Sequence, residues 1–159
     1  MAIAVHPDDE RYKHLVGQQV QHPFFPNRTL PIIADEAVKQ NFGSGAVKIT
    51  PAHDPTDFAM GQRHNLESLC VLDRHGRMNQ AAGPYKGLSK QQARERIEKD
   101  LTALGLLCKK EIIEHNVSVS QRSGEVIEPM ISRQYFVKAA PLAQKAKQAV
   151  DRGDTQIFP

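Results

Sequence analysis

The sequence predicts a mixed α+β fold, a barrel-like β core with two or three flanking helices, and three observations lead there. Short apolar runs of strand character recur along the chain, separated by Gly, Pro and Asp turns. A few segments of helical period interrupt them without the regular strand–helix alternation of a parallel sheet. With 159 residues, 40% of them hydrophobic, the chain is long enough for one domain with a genuine core.

The elements follow in chain order. Ala2 to Val5 reads as a strand, Asp8 to Leu15 as a polar turn or brief helix, and the stretch around Val20 as extended. Pro23 to Pro31 is a loop, and Leu30 to Ala34 a third strand. Phe42-Gly43-Ser44-Gly45 is a tight turn before Ala46 to Thr50, the clearest strand. A helix then runs to about His64, with Asp54 as N-cap, Pro55 at the first helical position and Asp57 three residues after the cap. Leu69 to Leu72 is a strand and Asp73 to Arg77 a hairpin turn. Ser89 and Gln92 form a capping box for a second helix that presents Ala93, Ile97, Leu101 and Leu104 on one face and stops at Gly105. Leu106 to Ile113, Val117 to Val119, Glu125 to Ile127 and Ile131 to Val137 read as further strands. A last helix spans about Pro141 to Val150, ended by Gly153.

Composition narrows the function classes. No apolar run approaches the ~20 residues of a membrane span, and the first residues carry neither a basic leader nor a secretion-type apolar run, so neither a membrane protein nor export is expected. Cys70 and Cys108 are far apart with no Cys-x-x-Cys, which predicts two semi-buried thiols in a reducing compartment, with no disulfide or zinc cluster. The net charge of +3 neither demands nor excludes a nucleic-acid partner. Gly43 and Gly45 supply only Gly-x-Gly, without the third glycine and helix of a dinucleotide fold. Neither a Gly-x-Ser-x-Gly elbow nor a His-Glu-x-x-His helix is present, so hydrolysis here would use a positioned water and electrostatic stabilisation.

The chemistry concentrates between Phe42 and Asp57. Alternation along the strand puts Val47 and Ile49 on one face and Lys48 and Thr50 on the other. The following helix carries Asp54 and Asp57 in its first turn, so an amine, a hydroxyl and two carboxylates converge at a strand-to-helix junction, a common ligand position. Each residue also has a plainer reading. Asp54 and Asp57 serve as caps, Lys48 as a solvated edge charge, Thr50 as a strand former, and His53 as either a base or a hydrogen-bonded structural residue.

The string Gly45-Ala46-Val47-Lys48-Ile49-Thr50-Pro51-Ala52-His53-Asp54-Pro55-Thr56-Asp57-Phe58 resembles the signature of the editing (connective polypeptide 1) domain of valyl-tRNA synthetases, of the class I synthetase family. Ala2 to Tyr12, Leu30 to Asp35, Gly61 to Leu66, Glu128-Pro129 and Gln134 to Val137 resemble it in the same order, across almost the whole length. The resemblance implies a barrel-like editing domain, with residues 1–115 as its core and 116–159 as a C-terminal return segment towards the catalytic domain. It implies an aminoacyl-tRNA deacylase that hydrolyses threonyl-tRNA(Val) and spares valyl-tRNA(Val), working in the cytoplasm. An apolar synthetic pocket cannot strongly reject a hydroxyl isostere, and valine against threonine is the standard illustration of that limit.

Within this resemblance Lys48 and Asp57 are the catalytic candidates, and Phe42, Thr50, Asp54 and Asp57 bind substrate. The implied partners are the threonine-bearing 3′ end of tRNA(Val) and the rest of the synthetase chain. No cofactor is expected, because the His-Ile-Gly-His and Lys-Met-Ser-Lys signatures of ATP chemistry are absent. No metal is expected either, since Ser120-Gln121-Arg122-Ser123 stands where many bacterial relatives carry Cys-x-x-Cys. The family pocket also draws on an upstream segment resembling Thr-Thr-Arg-Pro-Glu-Thr, and this chain starts after its place, which predicts weak activity. Two alternatives remain: a non-catalytic tRNA-contacting module using the basic residues from Lys109 to Lys147, and an amino-acid-binding domain.

Overall fold

The structure, a computed structural model, describes residues 1–114 and 116–158. His115, at the expected boundary between core and return segment, and Pro159 lie outside the described residues. The described elements are β1 (Ala2–Val5), β2 (Gln19–Gln21), β3 (Thr29–Ala34), β4 (Ala46–Ile49), α1 (Pro55–Arg63), α2 (Lys90–Ala103) and α3 (Ala140–Asp151), with 3₁₀ segments at Lys13–Leu15 and Gln80–Tyr85.

The four strands form one open sheet in the order β2-β3-β1-β4. β1 runs parallel to β3 and antiparallel to β4, and β2 is antiparallel to β3. The expected barrel is therefore not what forms: β2 and β4 are separate edges. Among the described residues the strands expected between Leu106 and Val137 do not join a ladder, and an isolated Val119–Val126 bridge is all that marks them. Leu69 to Leu72 is likewise reduced to a Leu72–Met78 bridge across the expected Asp73–Arg77 turn, which is closed by the Asp73 N–H on the Arg77 carbonyl. An alternating apolar run marks strand-competent residues, but a strand exists only where an edge accepts its backbone.

Register assigns each strand residue to a face. Ala2 pairs with Ile49, and Ala4 with Val47 and Ile33, so these side chains share one face. Val38, Met60 of α1 and Leu66 close that face into the main apolar cluster. Ala2 and Ala4 leave room for α1, and Ile49 is 0% exposed beneath it. The approach is close: a Cβ on Gly61 would stand 2.7 Å from Cγ of Pro51, itself fully buried. Asn65, with φ of 51°, turns the chain after α1 so that the Leu66 N–H caps the Gly61 carbonyl.

An ionic brace secures the far end of α1. Asp35, 7% exposed, accepts hydrogen bonds from both Nε and Nη2 of Arg63 and contacts Nε2 of His64 at 2.9 Å. The Arg63 guanidinium is the main reason the Asp35 carboxyl titrates at about 2, against an ordinary 3.8; burial opposes the shift, and the Ala37 N–H and His64 reinforce it.

The opposite face carries Ile3, Leu30, Val20 and Lys48, and it is only partly covered by the Gln80–Tyr85 segment and α2. α2 has the expected capping box, with Ser89 Oγ on the Gln92 N–H and Gln92 Oε1 on the Ser89 N–H. Of its expected apolar face, Ala93 is buried, Ile97 and Leu101 are half-buried against a concavity, and Leu104, the C-cap residue, is 54% exposed. Cys108, expected to be semi-buried, is exposed in the extended stretch after α2, while Cys70 is half-buried as expected. From Leu104 onward the chain is almost entirely exposed, α3 included.

Candidate functional site

The β4–α1 junction is built by local chemistry. β4 ends as Ile49 enters the core, Pro51 seats against Gly61, and the His53 N–H closes a turn on the Thr50 carbonyl at 3.0 Å. Asp54 then caps α1: its Oδ1 accepts the Asp57 N–H at 2.9 Å, with Pro55 at the first helical position. Asp57 reaches back across the turn. Its Oδ2 accepts both the backbone N–H of Thr50, at 2.7 Å, and the Thr50 hydroxyl, at 3.0 Å.

This clamp uses one carboxylate oxygen. Asp57 Oδ1 has no hydrogen-bond partner among the described residues. Thr50 spends its proton on Asp57, which leaves its hydroxyl oxygen able to accept. Lys48 lies near enough for Asp57 to favour its ammonium form, though the two make no direct ion pair among the described residues. Burial is the larger influence and lowers the Lys48 pKa. The residue nevertheless keeps solvent access, since what protein atoms crowd is an amine on the wall of a concavity.

That concavity has a volume of about 480 Å³, of small-ligand size. Lys48, Thr50 and His53 line it together with mostly apolar walls that include Leu30, Phe24, Phe25 and Tyr85. His53 is not placed as a base. Its Nε2 accepts the Val71 N–H at 3.0 Å, so a neutral ring carries its proton on Nδ1, which is buried without a hydrogen bond. Burial lowers the His53 pKa; Glu128 and the Pro129 carbonyl pull the other way without closing a bond to Nδ1, and Lys48 lowers it further.

The structure thus brings Lys48, Thr50 and Asp57 together, with Asp57 behind Thr50 and outside the lining of the concavity. Asp54 is exposed and faces a different, shallow groove shared with Phe58 and Pro129. Phe42 is 59% exposed on the loop before β4 and does not line the concavity. Two lining residues, His22 and Arg28, escape sequence reasoning, because they sit in a loop-rich stretch with no motif around them.

Comparison with known proteins gives this junction a context. The family model described as "Leucyl-tRNA synthetase, editing domain" matches residues 6–102, which contain the junction and most of the sheet. A valine–tRNA ligase of Dehalococcoides mccartyi is 51% identical over 158 residues, 99% of this chain and 18% of the relative. The valine–tRNA ligase of Geobacillus stearothermophilus is 53% identical over 159 residues, 99% of this chain and 18% of the relative. That of Corynebacterium glutamicum is 49% identical over 160 residues, 100% of this chain and again 18% of the relative. The chain spans about a fifth of the length of these relatives. With β2, β3, β4, the clamped junction and nearly all of α2 inside the matched region, the chain belongs to the aminoacyl-tRNA synthetase editing-domain family, in the form that valine–tRNA ligases carry.

Proposed function

We propose that this domain hydrolyses the ester joining threonine to valine tRNA and leaves the valyl ester intact. The observation that carries the reading is the divided Asp57 carboxylate, one oxygen held by Thr50 and the other without a hydrogen bond among the described residues, with Lys48 near enough to respond to its charge. Threonine differs from valine by a hydroxyl in place of a methyl. Asp57 takes the substrate's ammonium and hydroxyl through its second oxygen, with Thr50 beside it, whereas Asp54 and Phe42, which lie outside the concavity, are not needed for this reading. Valine would leave the carboxylate facing a methyl group, a desolvated polar group without a partner.

The chemistry is ester hydrolysis. A water oxygen bonds to the carbonyl carbon, negative charge develops on the carbonyl oxygen, and the Lys48 ammonium stabilises it. The bond to the ribose oxygen then breaks, that oxygen takes a proton, and threonine leaves as the free acid. The step needs no cofactor. The partners are the tRNA 3′ end and the remainder of a synthetase chain, as the names of the relatives suggest. A cytoplasmic setting accompanies a tRNA substrate, and no described helix is long and apolar enough to cross a membrane.

Single-turnover deacylation with protein in excess tests the reading even where activity is weak. Threonyl-tRNA(Val) is expected to be cleaved faster than valyl-tRNA(Val), and Asp57→Ala to remove that preference. Binding of both tRNAs without selective hydrolysis, or an Asp57→Ala protein as selective as the unaltered chain, overturns it.

A further inference from the structure

The wall that joins Lys48 to the apolar part of the concavity is cationic, and no carboxylate is among the described residues that line it. Arg28 and His22 line it with Lys48. Among the described residues neither the Arg28 guanidinium nor the Lys48 ammonium makes an ion pair or side-chain hydrogen bond. Arg28 is held instead over the Phe25 ring, 4.8 Å from its centroid. The same ring meets His22 edge-on at 4.9 Å and presses against Gly83, whose absent Cβ would lie 2.6 Å from it. Phe24 extends the stack from His22 to Tyr85. The guanidinium thus sits on a packed aromatic support and is spared much of the ordering cost that a free arginine meets on binding.

His22 adds a directed donor. Its Nδ1 accepts the Phe24 N–H at 3.2 Å, so a neutral ring bears its proton on Nε2. Burial, followed by Lys48 and Arg28, lowers its pKa, and all three side chains line the same concavity. Two cations and an N–H donor converging on a concave, mostly apolar wall favour an anion with several acceptor oxygens.

We infer that Arg28 and His22, next to Lys48, form a phosphate seat that takes the phosphodiester on the 5′ side of the terminal nucleoside of an RNA end. The assignment rests on the proposed deacylase reading for its substrate class, since the phosphate 5′ to an acylated terminal nucleoside lies one ribose away from the ester. Phosphate and ester are then held by neighbouring groups on one wall, and Lys48 is left to the ester.

The probe is the dinucleoside monophosphate cytidylyl-(3′→5′)-adenosine, titrated into the full chain by NMR or fluorescence beside adenosine, which lacks the phosphate. Arg28→Gln is expected to weaken the dinucleotide roughly tenfold, as for loss of a charged hydrogen bond, without a comparable loss for adenosine. The slope of log affinity against log salt is expected to shrink by about 0.7, the value for one single-strand phosphate contact. Arg28→Lys should recover part of the loss, which separates charge from packing on Phe25. Arg74→Gln, the same charge change on the Asp73–Arg77 turn, should leave affinity unaltered.

No measurable dinucleotide binding by the unaltered chain, or equal weakening of dinucleotide and adenosine, overturns the phosphate seat. Deacylation measured in parallel keeps the two readings apart. Arg28-dependent binding without threonyl-ester hydrolysis leaves the seat standing and removes the deacylase, whereas selective hydrolysis with Arg28-indifferent binding does the reverse.

Discussion

The two faces of the β1–β4 sheet divide the work of the domain. One face, with Ala2, Ala4 and Ile49, is closed by α1 and Val38 into an apolar cluster. The other presents Lys48, with Thr50 next along the chain, to a concavity that α2 and the Gln80–Tyr85 segment only partly cover. The boundary between them runs through three consecutive residues, because the period of two in β4 sends Ile49 to one side and Lys48 and Thr50 to the other. Stability and chemistry are therefore carried by adjacent residues and should be separable by mutation.

The largest effect is expected from Lys48→Ala on the open face. Loss of the ammonium should lower the single-turnover rate on threonyl-tRNA(Val) about 10²- to 10³-fold. Urea unfolding should show no loss of stability, since burial already disfavours the charged amine in the folded protein. A Lys48→Ala protein that unfolds readily would show that the open face also carries the fold. Next comes Ile49→Ala on the closed face, expected to cost about 2–4 kcal/mol in urea unfolding, as for other fully buried aliphatic truncations. Its folded fraction should keep its preference for threonine over valine; a lost preference would mean the faces are coupled through β4.

The smallest effect concerns the brace behind the closed face. Asp35 titrates at about 2 in the folded protein and near 3.8 when unfolded. Its contribution is thus complete above pH 4 and is lost as pH falls through about 2. The shift corresponds to roughly 1–2 kcal/mol after allowance for the half-exposed Arg63. Unfolding followed from pH 6 to pH 2 should show that loss, and Asp35→Asn should remove this part of the pH dependence while lowering stability at neutral pH.

Where signals are local, the sequence was a good guide. β1, β4, the Asp54 cap with Pro55, the Ser89–Gln92 capping box and the Asp73–Arg77 turn all lie where spacing puts them, because each is decided by residues within four positions of one another. Convergence of Lys48, Thr50 and Asp57 was readable because one strand-to-helix turn spans the seven positions from Thr50 to Asp57. What escaped depends on distant partners. The Asp35–Arg63–His64 brace joins residues 28 and 29 positions apart. Arg28 and His22 meet Lys48 only through the fold. Ile131 to Val137 alternates like a strand, but alternation does not name the edge that would receive it, and no sheet edge of the described chain does so.

The contact between Gly61 and Pro51 acts as a ruler. Because no Cβ intervenes, the α1 backbone settles against the turn that follows β4, and this seating puts the first helical turn within reach of Thr50. One methyl group at Gly61 would push the helix outward and tilt the Asp57 carboxylate away from the strand. Substrate choice would then suffer from a change that touches no substrate, so the tolerance of the site is set by an atom that is missing from its back wall.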